Sequence, residues 1–337
     1  MENFFERDNL RFAMIGSGSW ATALVKLLLS NKGKVSWYVR DDEMIEHIKK
    51  TSHNPYYLTA VQFDPEKIFM SSEINEVIDS ADVLVFCIPS AYFLAEVVKI
   101  ERSLEDKFII SAIKGIIPGD NITIAEYFNK NHNVPYDRIG VVSGPCHAEE
   151  VAMERLSYLT LSSKHIEVAR SMCDVFNCSY IKTVAGTDIY GVEYAAVLKN
   201  IYAVAAGVCH SLSYGDNFMA VLITSSFHEM RDFLRASHPD PNRKTSKSAY
   251  LGDLLVTCYS QFSRNRTFGT MIGKGYSVQS AQMEMNMVAE GYYGTKCIYE
   301  MNKKFGVDMP IAEAMYRILY EDKYPAYIFK QLTEQLQ

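Results

Sequence analysis

A glycine-rich turn set between an apolar strand and a helix constrains this chain more than any other feature. In "RFAMIGSGSWATAL" (11–24), Gly16, Gly18 and Ala21 fall in the spacing G-x-G-x-x-A. The first glycine permits a tight turn, and the second lets the backbone approach a pyrophosphate. A small third residue lets helix and strand pack closely. The helix that follows opens with N–H groups and a partial positive charge, both suited to phosphates. Further apolar runs at 34–39, 83–89, 107–113, 139–144 and 159–163 read as strands, with helix-like segments such as "ATALVKLLLSN" and "AYFLAEVVKIERSL" between them. That alternation predicts a parallel sheet covered on both faces.

From about residue 186 long apolar segments with helical spacing take over, at 188–209, 216–235, 278–287, 292–304 and 310–320. The expected organisation is α/β: an N-terminal Rossmann-type, doubly wound dinucleotide-binding domain over 1–185, then an all-α substrate and catalytic domain over 186–337. The boundary is expected near "TVAGTDIYG" (183–191). A chain of 337 residues suits two domains. The polar stretch "RASHPDPNRKTSKSA" (235–249) reads as an exposed connector rather than a lid.

Composition narrows the function classes. At 48% hydrophobic and 22% charged the chain is globular rather than disordered. No apolar run approaches the length needed to span a bilayer, and "MENFFERDNL" is too acidic and too short for a signal peptide. The expectation is a cytoplasmic protein without membrane insertion. The seven cysteines form no CxxC pair and sit mostly in apolar stretches, so they read as reduced core thiols. No convincing His/Asp/Cys ligand cluster is present, and no metal is expected. The net charge of −6 argues against a nucleic-acid partner. An anionic small molecule would need a local cluster of positive groups.

Such a cluster can be assembled from scattered segments. In "VEYAAVLKNIYAVAAG" (192–207), Lys199 has Ala195, Ala196, Tyr202 and Ala203 as its helical neighbours. Either it snorkels out of a half-buried helix, or the small residues leave room for a ligand. "AIKGI" places Lys114 just past the carboxyl end of a strand, where parallel sheets bind ligands. "LGDLLVTCYS" carries Asp253 and, one turn on, Thr257. "FSRNRTFG" groups Ser263, Arg264, Asn265 and Arg266, donors suited to a phosphate, and "VAEGYYGTK" contributes Glu290. Each has a bland alternative: surface charge for Lys114 and Arg266, helix cap for Asp253, back-bonding for Thr257. At the end of the second strand, "WYVRDD" offers Arg40 to a 2′-phosphate, which favours NADP(H) as cofactor. Asp41 beside it keeps NAD(H) open.

Taken in order, "GSGSWATAL", "IKG", "SGPCHAEEVA", "LKN", "GDLLVTC", "SRNRTFG" and "VAEG" resemble the bacterial-type NAD(P)-dependent glycerol-3-phosphate dehydrogenases, from the glycine loop to about residue 322. The resemblance implies a Rossmann-type domain and a helical domain with the active site between them, in a homodimer. It implies hydride transfer between NAD(P)H and dihydroxyacetone phosphate to give sn-glycerol 3-phosphate, feeding glycerophospholipid synthesis. Lys199 is implied as the acid/base. Lys114, Gly144, Asp253, Ser263, Arg264 and Asn265 match substrate-contacting positions, with Asn200 and Thr257 close by. Ser19, Trp20, Arg40, Lys114, Ala148, Arg264 and Glu290 match cofactor-contacting positions, beside Gly16 and Gly18 of the loop.

The usual "SGPxFAKE" reads "SGPCHAEE" here, so His147 replaces an aromatic residue and Glu149 a basic one. Cys146 and His147 are adjacent on a loop, which is the wrong geometry for a nucleophile and its base. A 3-hydroxyacid dehydrogenase would share the architecture and a lysine–asparagine pair, but the "SRNR" cluster disfavours a carboxylate substrate. A nucleotide sensor without turnover would have lost part of the set Lys114, Lys199, Asn200, Asp253 and Thr257. For Lys199, burial and Lys114 should lower the pKa while Asp253 raises it, leaving a net downward shift.

Overall fold

The computed structural model describes residues 3–285 and 287–336, and the chain divides into two compact units. The first runs up to Ile113 and resumes over Ile124–Ile189. Its strands are β1 (Phe12–Ile15), β2 (Val35–Tyr38), β3 (Ile68–Ser71), β4 (Val83–Phe86), β5 (Phe108–Ser111), β6 (Ile139–Ser143), β7 (Ser157–Ser163) and β8 (Ile181–Gly186). They form one sheet in the order β3-β2-β1-β4-β5-β6-β7-β8. Every residue of β1, β2, β4, β5 and β6 is buried, because both faces of the sheet are covered. The covering helices are α1 (Ser19–Lys32), α2 (Asp42–Thr51), α3 (Ile74–Asp79), α4 (Ser90–Val97), α5 (Ile124–His132), α6 (Ala148–Ala152) and α7 (Ile166–Phe176). From β1 the chain winds outward through β2 to β3, then returns to the other side of β1 as β4. That reversal creates a crevice at the carboxyl ends of β1 and β4.

The sheet departs from the expected all-parallel arrangement at β7, which runs antiparallel to β6 and then pairs in parallel with β8. The edge strands β3 and β8 escape a reading based on apolar runs. Each is buried on only one side: Phe69 is half exposed, and Lys182 and Val184 face solvent. An edge strand of this kind keeps polar residues in its pattern.

The second unit contains Lys114–Thr123 and the chain from Tyr190 onward. Its helices are α8 (Ile189–Ser211), α9 (Gly215–Ser237), α10 (Asp253–Tyr259), α11 (Arg264–Gly273), α12 (Val278–Glu284), α13 (Glu290–Phe305), α14 (Pro310–Tyr320) and α15 (Pro325–Thr333). The helix expected over 278–287 stops at Glu284, and residue 286 lies outside the described residues. The ten-residue segment after β5 is tied to this unit, although it lies within the span expected for the first domain. Ile117 and Ile122 form a bridge, and Asn121 Nδ2 donates to Glu300 Oε2 on α13 at 3.0 Å.

The helix α8 is buried without interruption from residue 191 to 209. Contrary to the reading of the sequence, it is long and apolar enough to cross a membrane; its apolar window is entirely buried inside the protein, as a core helix. Its small residues let other helices come close. A Cβ at Gly269 of α11 would collide with the Val204 carbonyl, and one at Gly207 would collide with that of Arg266. A Cβ at Gly291 of α13 would come within 2.5 Å of the Asn200 carbonyl oxygen. At α9, the buried Glu229 accepts from the N–H groups of Ile311 (2.6 Å) and Ala312 (3.2 Å), holding the first turn of α14.

The 235–249 stretch is mostly exposed, as a connector would be, and is anchored to the end of α9. Arg243 donates to the carbonyls of Leu234 (2.9 Å) and His238 (2.6 Å), satisfying groups at the end of α9. The wider turn Ser248–Gly252 then leads directly into α10. Because the α8–α11 contact leaves no room for a methyl group, Gly269→Ala should destabilise the protein by at least about 2 kcal/mol, as overpacking does. A thermal-unfolding midpoint equal to that of the parent would contradict this close approach.

Candidate active site

In the first unit the glycine loop lies at the sheet reversal. Gly16 has φ +120°, and a Cβ there would come within 2.5 Å of the Cys87 carbonyl oxygen just after β4. Both facts demand glycine. The loop is clamped from β2: Trp37 Nε1 donates to Gly16 O at 2.7 Å, and Gly16 N donates to Tyr38 O at 3.3 Å. Gly18 differs. Its φ is −74°, which any residue can adopt, and a Cβ would meet nothing within 4 Å. The space a side chain would fill therefore lies open at the N-terminus of α1, where Ser19, Trp20 and Ala21 form a buried first turn. This cradle fits a pyrophosphate.

Sequence reasoning missed Asn54. It is fully buried, and its Nδ2 donates to Thr22 Oγ1 at 2.9 Å and Ser17 O at 3.4 Å. Its Oδ1 accepts from Tyr56 N and Tyr57 N, both at 3.0 Å. The one available signal was the Asn54–Pro55 turn pair, which says nothing about its distant partners.

Arg40 stands two residues beyond β2 with its side chain 66% exposed, and its Nη1 lies 3.7 Å from Glu96 Oε1. Asp41 is used as the N-cap of α2, accepting from Glu43 N (3.0 Å) and Met44 N (3.4 Å). Gly144 has φ +108°, and a Cβ there would come within 2.8 Å of Tyr158 O. Beyond it the Cys146 thiol donates to Tyr158 O at 3.3 Å, and the buried Ala148 opens α6. Cys146 thus serves the loop's backbone.

The remaining candidates all belong to the second unit. Lys199 and Asp253 are both buried, and the ammonium donates to Asp253 Oδ1. Burial pulls the Lys199 pKa down to about 8; the Asp253 charge opposes this and the Lys114 charge adds to it. Lys199 therefore does not snorkel. Asp253 Oδ2 is buried and has no protein partner, leaving an acceptor beside the ammonium. Thr257 Oγ1 donates to Asp253 O at 2.5 Å, the back-bond of its own helix, and lies 3.5 Å from Asp253 Oδ1.

Asn200, next along α8, ties other segments together. Its Nδ2 donates to Lys114 O at 2.8 Å, and its Oδ1 accepts from Asn265 Nδ2 at 2.9 Å. Asn265 Oδ1 in turn accepts from Gly291 N at 2.8 Å, beside Glu290 at the start of α13. Ser263 caps α11 by accepting from Arg266 N at 3.3 Å, and Arg264 occupies the first helical position. Lys114, Lys199, Asn200, Asp253, Thr257, Ser263, Arg264, Asn265 and Glu290 are thus gathered in one unit, while Gly16, Gly18, Ser19, Trp20, Arg40, Gly144 and Ala148 belong to the other. Among the described residues no group of three or more His, Cys, Asp or Glu side chains converges as a metal site would.

Family models match both parts of the chain: the NAD-dependent glycerol-3-phosphate dehydrogenase N-terminus over 11–169 and the C-terminus of the same family over 188–330. The chain belongs to this family. It is 36% identical to a glycerol-3-phosphate dehydrogenase [NAD(P)+] of Halothermothrix orenii, over 94% of this chain and 92% of the relative. The corresponding protein of Prosthecochloris aestuarii is 35% identical, over 92% and 93%. Among solved structures, the glycerol-3-phosphate dehydrogenase of Coxiella burnetii matches with a TM-score of 0.87 and 27% identity, covering 96% of this chain and 99% of that one.

The open space at Gly18 provides a test of the cradle. Gly18→Val should leave the thermal midpoint near that of the parent and weaken NAD(P)H binding at least tenfold in a fluorescence titration. Binding at parental strength would show that the phosphates lie elsewhere.

Proposed function

We propose that this protein catalyses the reversible reduction of dihydroxyacetone phosphate to sn-glycerol 3-phosphate by NAD(P)H, with Lys199 as the proton donor. Family membership supports the reaction. The observation that carries the assignment of Lys199 is its buried ammonium, bonded to Asp253 and depressed to about 8. A bound NAD(P)H supplies the hydride that adds to C2 of the ketone. As that bond forms, the C2 oxygen gathers negative charge. Lys199 Nζ stabilises the charge and gives up a proton, so the alkoxide becomes the alcohol. In the reverse direction neutral Lys199 takes the hydroxyl proton.

Asp253 orients the ammonium and keeps its pKa from falling further. Lys114, whose backbone Asn200 holds, adds a second positive charge that eases release of the proton. On this reading Arg264 takes the substrate phosphate at the N-terminus of α11, where guanidinium and helix dipole act in the same direction. Ser263 and Asn265 sit on either side of it. Glu290, Trp20, Ser19, Gly144 and Ala148 are assigned to the walls of the cofactor and substrate sites.

For the cofactor we favour NADPH over NADH. Arg40 is exposed at the end of β2, where a 2′-phosphate could pair with it, while one carboxylate oxygen of Asp41 is engaged as the cap of α2. The enzyme is taken to work in the cytoplasm as a homodimer, with its product entering glycerophospholipid synthesis.

Lys199→Ala should lower kcat by about 10²–10⁴-fold, the usual contribution of general acid–base catalysis, while NADPH still quenches or shifts fluorescence on binding. A near-normal kcat would rule out Lys199 as the donor. In the parent, kcat/KM for ketone reduction should fall as pH rises through about 8, because the donor must carry its proton, and for alcohol oxidation it should rise over the same range. Arg40→Ala should raise KM for NADPH far more than for NADH; equal effects would refute the choice of cofactor.

A further inference from the structure

The cofactor end of β2 contains an anion that the reaction does not use. Glu96, on α4, is only 5% exposed. Its Oε2 accepts from Tyr38 Oη at 2.6 Å and from Lys99 Nζ at 2.8 Å. Its Oε1 faces Arg40 Nη1 at 3.7 Å, which is an ion pair but too long for a hydrogen bond. One oxygen is therefore saturated, while the other holds Arg40 loosely.

We propose that Glu96 tunes the choice between the two dinucleotides by competing with the 2′-phosphate for Arg40. This rests on the reading above that Arg40 meets that phosphate. With NADH, which has no anion at the 2′ position, the guanidinium stays paired to Glu96. With NADPH, a phosphate able to accept two parallel N–H bonds draws Arg40 away from its 3.7 Å contact. Glu96 thereby weakens NADPH binding by retaining Arg40, and makes the protein more tolerant of NADH. Tyr38 is a dependable anchor for this carboxylate. Burial and its bond to Glu96 push the phenol pKa well above its ordinary value, so it remains a donor. Burial pushes the Glu96 carboxyl up, yet Lys99, Tyr38 and Arg40 together hold it below the usual glutamate range, so it stays charged.

The test is the ratio of kcat/KM for NADPH to that for NADH in the full-length protein. Glu96→Gln keeps an acceptor for Tyr38 but removes the charge. It should raise the ratio about two- to fivefold, the range a partly exposed ion pair is worth. In the Arg40→Ala background the same change should raise it by much less. Tyr38→Phe removes the hydrogen bond to Glu96 but leaves its charge, and should not raise the ratio. An unchanged or lower ratio in Glu96→Gln, or an equal rise in Tyr38→Phe, overturns the proposal. So does a full rise without Arg40. If Arg40→Ala alone leaves the ratio at the parental value, the assignment of Arg40 to the 2′-phosphate fails instead. If Arg40→Ala lowers the ratio and Glu96→Gln does not raise it, that assignment stands and Glu96 has no part in it.

Discussion

A charged nitrogen held away from water on a core helix is the constraint around which the second unit is arranged. Removing an ammonium and a carboxylate from solvent costs several kcal/mol for each ion, and only close pairing offsets it. Lys199 and Asp253 meet that requirement with a direct bond between two side chains that are each almost fully buried. The compensation is partial, since burial outweighs the attraction of Asp253 and the lysine pKa still falls. That imbalance is what suits the residue to the proton-donor role proposed for it: a fully compensated lysine would hold its proton too tightly to exchange it near neutral pH.

Keeping the pair dry depends on how closely neighbouring helices pack on α8. Glycines at 207, 269 and 291 bring α11 and α13 into backbone contact with it. The small residues of α8 therefore serve helix packing as well as any ligand. The residue next to Lys199 has a separate task. Asn200 reaches the segment after β5 on one side and Asn265 on the other, and Asn265 continues to the first turn of α13. Two adjacent residues of one helix thus supply a charge and the tie that keeps the Lys114 backbone within the same unit. Asn121 and Glu300 secure the far end of that segment.

Several residues have a structural role that does not compete with the chemical one proposed for them. Ser263 uses its oxygen lone pair to cap α11 and retains its own proton to donate. Thr257 spends its proton on the Asp253 carbonyl, which stiffens the turn carrying the Asp253 carboxylate. Asp41 caps α2 with one oxygen, Oδ1, and keeps its second oxygen free to accept.

Local pattern alone determined the glycine loop, the buried central strands, the long helices and the residue types available for chemistry, because each depends on neighbours a few positions away. It did not reveal the reversal of β7, the edge strands β3 and β8, or the short helix α11, whose runs are too brief or too polar to stand out. Nor could it place the segment at 114–123 with the helical unit, find Asn54, or see that Glu96 faces Arg40. Those were decided by tertiary packing. Lys199 and Asp253 are 54 residues apart in the chain and Asn200 and Lys114 are 86 apart, and contacts at such separations depend on which helices and strands pack together, not on the propensity of any one of them.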